Sequence, residues 1–534
     1  MNSIAGLLKK YTESRLFIHR SLYLLGLMVI LSGLAWSNFL MSLGQFILAG
    51  NWILEGDFKA KFDRLKSNSV FFALISTYLL LAIGLIWSED IDYALHDLRI
   101  KLPLLLLPFF IASARTLKKT EWKILLMVYL SSLFIISLFS YYKLIEFFGD
   151  EILDKRQLSI RISHIRYGLN LALASILSAF YFKLYGKKFG FVMLFLSLWF
   201  LTCLFTFQLY TGLICFFISL FILGIYKLIK AKKRSPYVIL MTILIIVISL
   251  IAYKIHSIKS DLETKVQLDY DQKQTKGTAS LNGEPYWHDL KSKQKENGVF
   301  VYRFIAWEEI EKQWNQRSEI KFDGKDQKNQ VLMSTLCRFL SSKGLKKDSV
   351  GIAALTDEEI EAIENGIANV YFLDHSSIED RIYGILYEFH QYSKSGYLDG
   401  YSIVMRFEYW KTALQIVDKN FLYGVGTGDV EKAFEKQYEK NNSQLTKKYR
   451  KKTHNQYLAI FVAIGAPGFA IFLFSLFYPL FYIPKQFLIP YLSFFIIVSL
   501  SFLTEDTLET QAGVTFFACF NSLFLLEKAH SQSD

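Results

Sequence analysis

Long apolar runs are the strongest constraint this chain places on its own fold. A helix needs about 20 mostly apolar residues to cross the hydrocarbon core of a bilayer. About twelve stretches read that way: 20–36, 38–54, 69–88, 98–114, 122–147, 166–184, 188–207, 209–229, 236–255, 455–482, 486–503 and 511–527. Backbone polar groups inside a bilayer must be paired within the protein, so these runs predict helices. The expected fold class is therefore an all-α polytopic membrane protein. The first two runs are short and fit one hairpin or a re-entrant pair. Of the 534 residues, 52% are hydrophobic and 16% aromatic, which excludes an ordinary soluble domain.

Charges between the runs set an orientation, because Lys and Arg concentrate in short cytoplasmic loops. Lys59, Lys61, Arg64 and Lys66 follow the second run, and Arg115, Lys118 and Lys119 the fourth. Lys187 and Lys188 follow the sixth, and Lys230, Lys232, Lys233 and Arg234 the eighth. Acidic residues follow the third (Glu89, Asp90, Asp92) and the eleventh (Glu505, Asp506). The alternation predicts cytoplasmic termini and puts 256–454 on the outer side. The net charge of +12 is thus a topology signal, and nucleic acid is not an expected partner. Lys9, Lys10, Arg15 and Arg20 precede the first run, and no clear small-residue cleavage site follows it, so it reads as an anchor. Cys203, Cys215 and Cys519 lie in apolar runs and Cys337 stands alone in a polar region. That spacing suggests neither a disulfide framework nor a metal site, and no metal or cofactor is expected.

The chain divides into an N-terminal membrane region (1–255, about nine spans), an outer loop (256–454) and a C-terminal membrane region (455–534, about three spans). Residues 256–300 are rich in Lys, Asp and Gln with few apolar anchors, which predicts poor order. Leu332, Leu336, Phe339 and Leu340 share a helical face, with Gly344 placed to cap it. Thr356 and Glu359 form a capping-box pattern before Ile360, Ile363 and Ile367. These read as a small helical insertion, a spacer or packing module.

Chemistry concentrates in 401–454 and its flanks. His454 and Asn455 stand where the tenth run enters the membrane. A neutral imidazole there could take a proton from a hydroxyl near pH 7, or simply bond a loop carbonyl. Arg406 precedes Trp410 by one helical turn; Arg161 and Arg166 flank His164 before the sixth run. Arginine binds phosphate bidentately and stays charged, though it also snorkels to lipid headgroups. Lys447, Lys448, Arg450, Lys451 and Lys452 form a basic cluster, suited to an anionic partner or to a solvated helix face. Val430, Phe434 and Tyr438 at spacing four suggest an interfacial helix. Gly424, Gly426 and Gly428 follow no strand, so they read as a sharp turn rather than a nucleotide loop. Glu505, Asp506 and Glu509 could hold an arginine or hydrogen-bond a sugar, or form a plain charged loop.

The order R-x-x-x-W (406–410), G-x-G-x-G (424–428), then H-N-x-x-L (454–458) before a helix with Gly465 and Gly468 resembles the O-antigen ligase superfamily. So do the spans, the single large outer loop before the His and the ending TEDTLETQAGVTFF (504–517). The resemblance implies a GT-C type, metal-independent, inverting glycosyltransferase of the bacterial inner membrane with no cofactor. It implies transfer of a glycan from undecaprenyl diphosphate to lipid A–core, in lipopolysaccharide assembly, at the periplasmic face. Polymerisation of O-antigen, or glycan transfer to protein, is the alternative within the group. A non-enzymatic transporter of lipid-linked glycans is the alternative outside it, although polar residues along a path through the midplane are few. By that resemblance His454 and Arg406 are catalytic. Arg166, a looser match to a family arginine, is expected to contact diphosphate or glycan, and so, from the residues alone, are Arg161, His164, Asn455, Trp410 and Glu505. One departure stands out: many relatives carry Ser-Arg at an outer turn where this chain has Leu209 and Tyr210.

Overall fold

The computed structural model describes residues 2–146, 158–182, 187–230, 235–263, 268, 270–292, 294–373, 377–396 and 399–526. The N-terminal half is a helix series: α1 (Asn2–Trp36), α2 (Asn38–Glu55), α3 (Phe58–Lys66), α4 (Ser69–Ile83), α5 (Ile91–Lys101), α6 (Pro103–Ser113), α7 (Lys119–Glu146) and α8 (His164–Tyr181). It continues with α9 (Lys187–Thr206), α10 (Tyr210–Lys230) and α11 (Ser235–Glu263). A two-stranded ladder follows, β1 (Lys295–Glu296) with β2 (Val299–Phe300). Next come α12 (Trp307–Arg317), α13 (Leu332–Ser342), α14 (Ser349–Ala353), α15 (Asp357–Glu364) and α16 (Ser377–Ser395). The chain closes with α17 (Val404–Lys419), α18 (Val430–Lys440), α19 (Gln456–Phe477), α20 (Leu488–Thr504) and α21 (Gln511–Leu525). The protein is an all-α, multi-pass membrane protein.

Each apolar run contains helix. Eight helices among the described residues are long and apolar enough to cross a membrane, fewer than the count read from hydropathy. The runs 38–54, 98–114, 166–184 and 511–527 fall outside that set. The run 98–114 is split at Leu102, because Pro103 begins a new helix of 11 residues. Helix α8 is an interior helix, buried along nearly its whole length. Its Asn170 donates to the Arg166 carbonyl at 2.8 Å and accepts from Tyr129 at 3.0 Å, so the polar group is satisfied inside the bundle.

Two helices are shaped by a backbone crossing. Helix α19 is kinked at Gly465, whose φ is 67°. There Val425 N–H donates to the Val462 carbonyl (2.9 Å), Gly426 N–H to Ala463 (3.0 Å) and Ala466 N–H to Phe421 (2.7 Å). A Cβ on Gly424 would lie 2.5 Å from Ala463 backbone, and one on Gly465 2.3 Å from the Leu422 oxygen. The glycine run is therefore a turn that allows backbone to meet backbone. The next residues staple it to the far end of α4: Thr427 Oγ1 donates to the Leu81 carbonyl (2.7 Å), and Asp429 accepts from Glu89 and Asp90 N–H at 2.7 and 3.1 Å.

Residues 300–365 build a second hydrophobic core around Trp314, Leu336, Phe339 and Ile363. Thr356 and Glu359 form the capping box, and Gly344 follows α13 in the left-handed region at φ 76°. Three expectations change here. Residues 270–292 and 294–300 are structured, with the ladder and a small cluster of Tyr270, Tyr286, Phe304 and Ala306; residues 264–267, 269 and 293 lie outside the described set. Cys337 is in this core rather than in a polar setting, and burial pushes its thiol up to about 12. Finally, Val430, Phe434 and Tyr438 of α18 face the main protein core, not an interface, because α17 packs over them.

Candidate active site

Four segments meet at the end of the bundle where α4 finishes: the start of α8, the start of α17, residues 449–456 and the loop between α20 and α21. That last loop, 505–510, is the anchor. Thr510 caps α21 by accepting from Gly513 N–H at 3.3 Å, which leaves the three acids ahead of it to face inward.

Arg406 sits in the first turn of α17 and its Nη2 donates to Glu505 Oε1 at 2.7 Å. The Arg406 side chain is about a quarter exposed (26%), and only Nη2 is engaged by Glu505. Arg166, in the first turn of α8, reaches the same loop. Its Nε donates to Thr510 Oγ1 (3.3 Å) and its Nη2 to the Asp506 carbonyl (3.2 Å). Arg166 is 6% exposed, and its Nη1 has no partner among the described residues. Gln456 behaves alike: Oε1 accepts from Leu508 N–H at 2.6 Å while its buried Nε2 is unpartnered. Two buried donors beside one loop are a standing demand for an acceptor.

His454 occupies the left-handed region at φ 45°. Its own N–H donates to Asp506 Oδ2 at 3.1 Å, and Thr453 Oγ1 donates to Asp506 Oδ1 at 2.9 Å. The imidazole Nδ1 lies 3.9 Å from Asp506 Oδ2, and the side chain is 39% exposed. The Tyr409 ring stands 5.7 Å away at a tilt of 36°. Trp410 Nε1 holds the Thr453 carbonyl at 3.0 Å. Asn455 is committed to structure: it caps α19 through Leu458 N–H (3.1 Å) and donates to the Leu503 carbonyl (3.1 Å).

Burial raises the Glu505 carboxyl, against the pull of Arg406 and Arg166. Burial, with Glu509 adding, also raises Asp506. Burial alone would raise Glu509, but the Lys101 and Lys452 ammoniums outweigh it and hold that carboxyl well below the usual range. Glu509 receives Lys101 at 2.7 Å and Lys452 at 2.9 Å, while Lys101 also binds Asp97 (2.6 Å) and Lys452 the Tyr93 hydroxyl (3.0 Å). Between these groups, Asp506 and Thr427 lies a cavity of about 20 Å³, room for one water. Lys452 is thus an internal ion-pair partner, whereas Lys447, Lys448 and Lys451 are exposed.

The structure gathers Arg406, Arg166, His454, Asn455, Trp410 and Glu505 around one loop. Arg161 is exposed on the turn before α8, and His164 is the half-buried first residue of that helix. Leu209 is buried, and Gly168, one half-turn beyond Arg166, packs against it: a Cβ on Gly168 would lie 3.2 Å from Leu209 Cβ. Sequence reasoning undervalued Asp506 and missed Thr453, Gln456, Lys101 and Asp97. The pair Asp97–Lys101 at helical spacing in an apolar neighbourhood was the one available signal. Among the described residues no group of three or more His, Cys, Asp or Glu is arranged to hold a metal ion.

Residues 355–473, which contain both Arg406 and His454, match the family model described as O-antigen ligase. That match supports the O-antigen ligase/polymerase superfamily for this segment. The matched segment begins just before α15 and ends in α19, beyond the kink, so it includes the backbone crossing as well as the two candidate residues. No curated protein matches the chain.

Proposed function

We propose that the chain is an inverting glycosyltransferase that moves a glycan from undecaprenyl diphosphate to lipid A–core, at the periplasmic face of the bacterial inner membrane. The observation that carries this reading is the convergence of Arg406, Arg166 and His454 on residues 505–510 inside the superfamily segment. Two guanidiniums beside one loop suit a diphosphate, and one has an unused buried donor. The imidazole suits an acceptor hydroxyl.

In this reaction the acceptor oxygen bonds to the anomeric carbon as the bond from that carbon to the diphosphate breaks. The electron pair leaves with the diphosphate, which Arg406 and Arg166 stabilise; no proton is needed on it. The hydroxyl proton passes to His454 and from there to water. Asp506, toward Nδ1, leaves Nε2 as the accepting nitrogen and steadies the imidazolium that forms. Glu505 aims Arg406 without occupying its whole fork. The catalytic chemistry uses no metal and no nucleotide. Apolar helices beside the site keep the polyprenyl tail in the bilayer.

The test is transfer by the purified protein in detergent, with undecaprenyl-diphosphate glycan and lipid A–core, in the presence of a chelator. Released undecaprenyl diphosphate and glycosylated product are both followed. Arg406→Ala and His454→Ala should each lower the rate on the order of 10²-fold or more. Near-wild-type transfer by both variants would sink the assignment. Longer lipid-linked chains in place of the lipid A product would make the protein a polymerase.

A further inference from the structure

An open groove of about 730 Å³ runs between α17 and α18, and its wall begins one residue past Arg406. Phe407, Trp410 and Leu414 line it from one face of α17. Phe407 is 46% and Leu414 54% exposed, so about half of this apolar strip is open. The opposite side is a fixed array of amides. Gln437 Nε2 donates to Gln415 Oε1 (3.0 Å) and Asn441 Oδ1 (2.8 Å), and Asn441 Nδ2 donates to Gln415 Oε1 (2.7 Å). Rings for the C–H face of a pyranose beside amides for its hydroxyls are the chemistry of saccharide recognition. A hydrocarbon tail in the same place would strip water from the amides and from the lysines at the rim.

The rim adds charge: Lys411, Lys419 and Lys440 against Asp418. Lys419 donates to Gln437 Oε1, and desolvation and the neighbouring Lys440 ammonium lower its amine against the pull of Asp418. Trp410 links the groove to the candidate active site, since its ring lines the groove and its N–H holds the carbonyl of the residue before His454.

We propose that this groove binds an acidic glycan chain, one bearing carboxylate or phosphate groups, as the extended part of the saccharide handled at His454. Its purpose rests on the transfer reading, but binding can be measured without transfer. The probe is labelled hexagalacturonate in equilibrium dialysis against the full-length protein in detergent. Maltohexaose is the neutral control and glycerol phosphate the lipid-headgroup competitor. Hexagalacturonate should bind, and maltohexaose more weakly. Lys419→Gln combined with Lys440→Gln should weaken hexagalacturonate about tenfold. If that pair unfolds, Lys411→Gln alone should weaken it about threefold. No binding by wild type, or unchanged binding by the variants, overturns the proposal. Displacement by glycerol phosphate as effective as by unlabelled hexagalacturonate also overturns it, in favour of a membrane contact. A protein that binds hexagalacturonate yet transfers nothing would defeat the transfer reading and leave the groove standing.

Discussion

His454 is held at φ 45° by a single carboxylate that takes its backbone N–H and lies 3.9 Å from its ring. A non-glycine residue there stores roughly 1 kcal/mol or more of strain. Asp506 offsets it and sets the imidazole's direction with the same oxygen. Asp506→Asn keeps the shape and removes the charge. Turnover should fall about 10²-fold with little change in KM, because the loss falls on the imidazolium formed during transfer. A rise in KM alone would assign Asp506 to substrate binding instead. Glu509 is a different case, a carboxylate between two lysines, one of them 3% exposed. Its folded-state pKa is depressed, so its contribution is complete above the ordinary carboxylate range and is lost only as pH falls through the lower folded value. Glu509→Gln should lower stability by about 3–5 kcal/mol at neutral pH, because Lys452 loses its carboxylate and Lys101 keeps only Asp97. That deficit should hold down to about pH 5 and narrow only in stronger acid. Thermal unfolding in detergent across pH checks both the size and the window.

At the scale of elements, the crossing of 421–426 with 462–466 fixes where the segments of the candidate site start. It bends α19 and ties the turn after α17 to the end of α4. Gly424 and Gly465 have positive φ and backbone within 2.5 Å of any added Cβ. Gly465→Ala or Gly424→Ala therefore needs both a strained conformation and a parting of the two strands of chain. Each should cost several kcal/mol, above the roughly 1–3 kcal/mol of backbone strain alone. Loss of the cooperative melting transition, or a Tm drop with transfer reduced in step, is the expected result. A normal Tm would mean that the crossing is optional. Helix α18 belongs to the same assembly, its Phe434 and Tyr438 packing inward while Gln437 and Asn441 remain on the groove side.

For the whole molecule, the two ends of the bundle differ in chemistry. Lys61, Arg115 and Lys118 line one cavity at the end where α4 begins, while Arg406, His454 and the acidic loop lie at the end where it finishes. We expect the first end in the cytoplasm and the second outside. The native cysteines are all buried, which leaves a quiet background for labelling. Single cysteines at exposed Ser67 and Glu435 should report oppositely to a membrane-impermeant maleimide. Glu435→Cys should react in intact spheroplasts, and Ser67→Cys only after lysis. The reverse pattern would invert the topology and remove the periplasmic reading.

The sequence by itself determined the membrane class, helix in every long apolar run, the capping box at Thr356 and Glu359, and the glycine turn at 424–428. Each follows from hydropathy, periodicity or backbone allowance over a few neighbouring residues, and these survive whatever the chain does elsewhere. The motif spacing also brought Arg406 and His454 forward. Only the tertiary structure decided that Arg406 meets Glu505, 99 positions away, and that His454 meets Asp506, 52 positions away. It also decided that α8 lies inside the bundle, that α18 turns its apolar face to protein rather than to lipid, and that Lys452 is an internal partner of Glu509. The physical reason is the same in each case. Local pattern says that a residue is apolar or charged, but which surface covers it depends on how distant helices cross, and one kink at Gly465 sets much of that crossing.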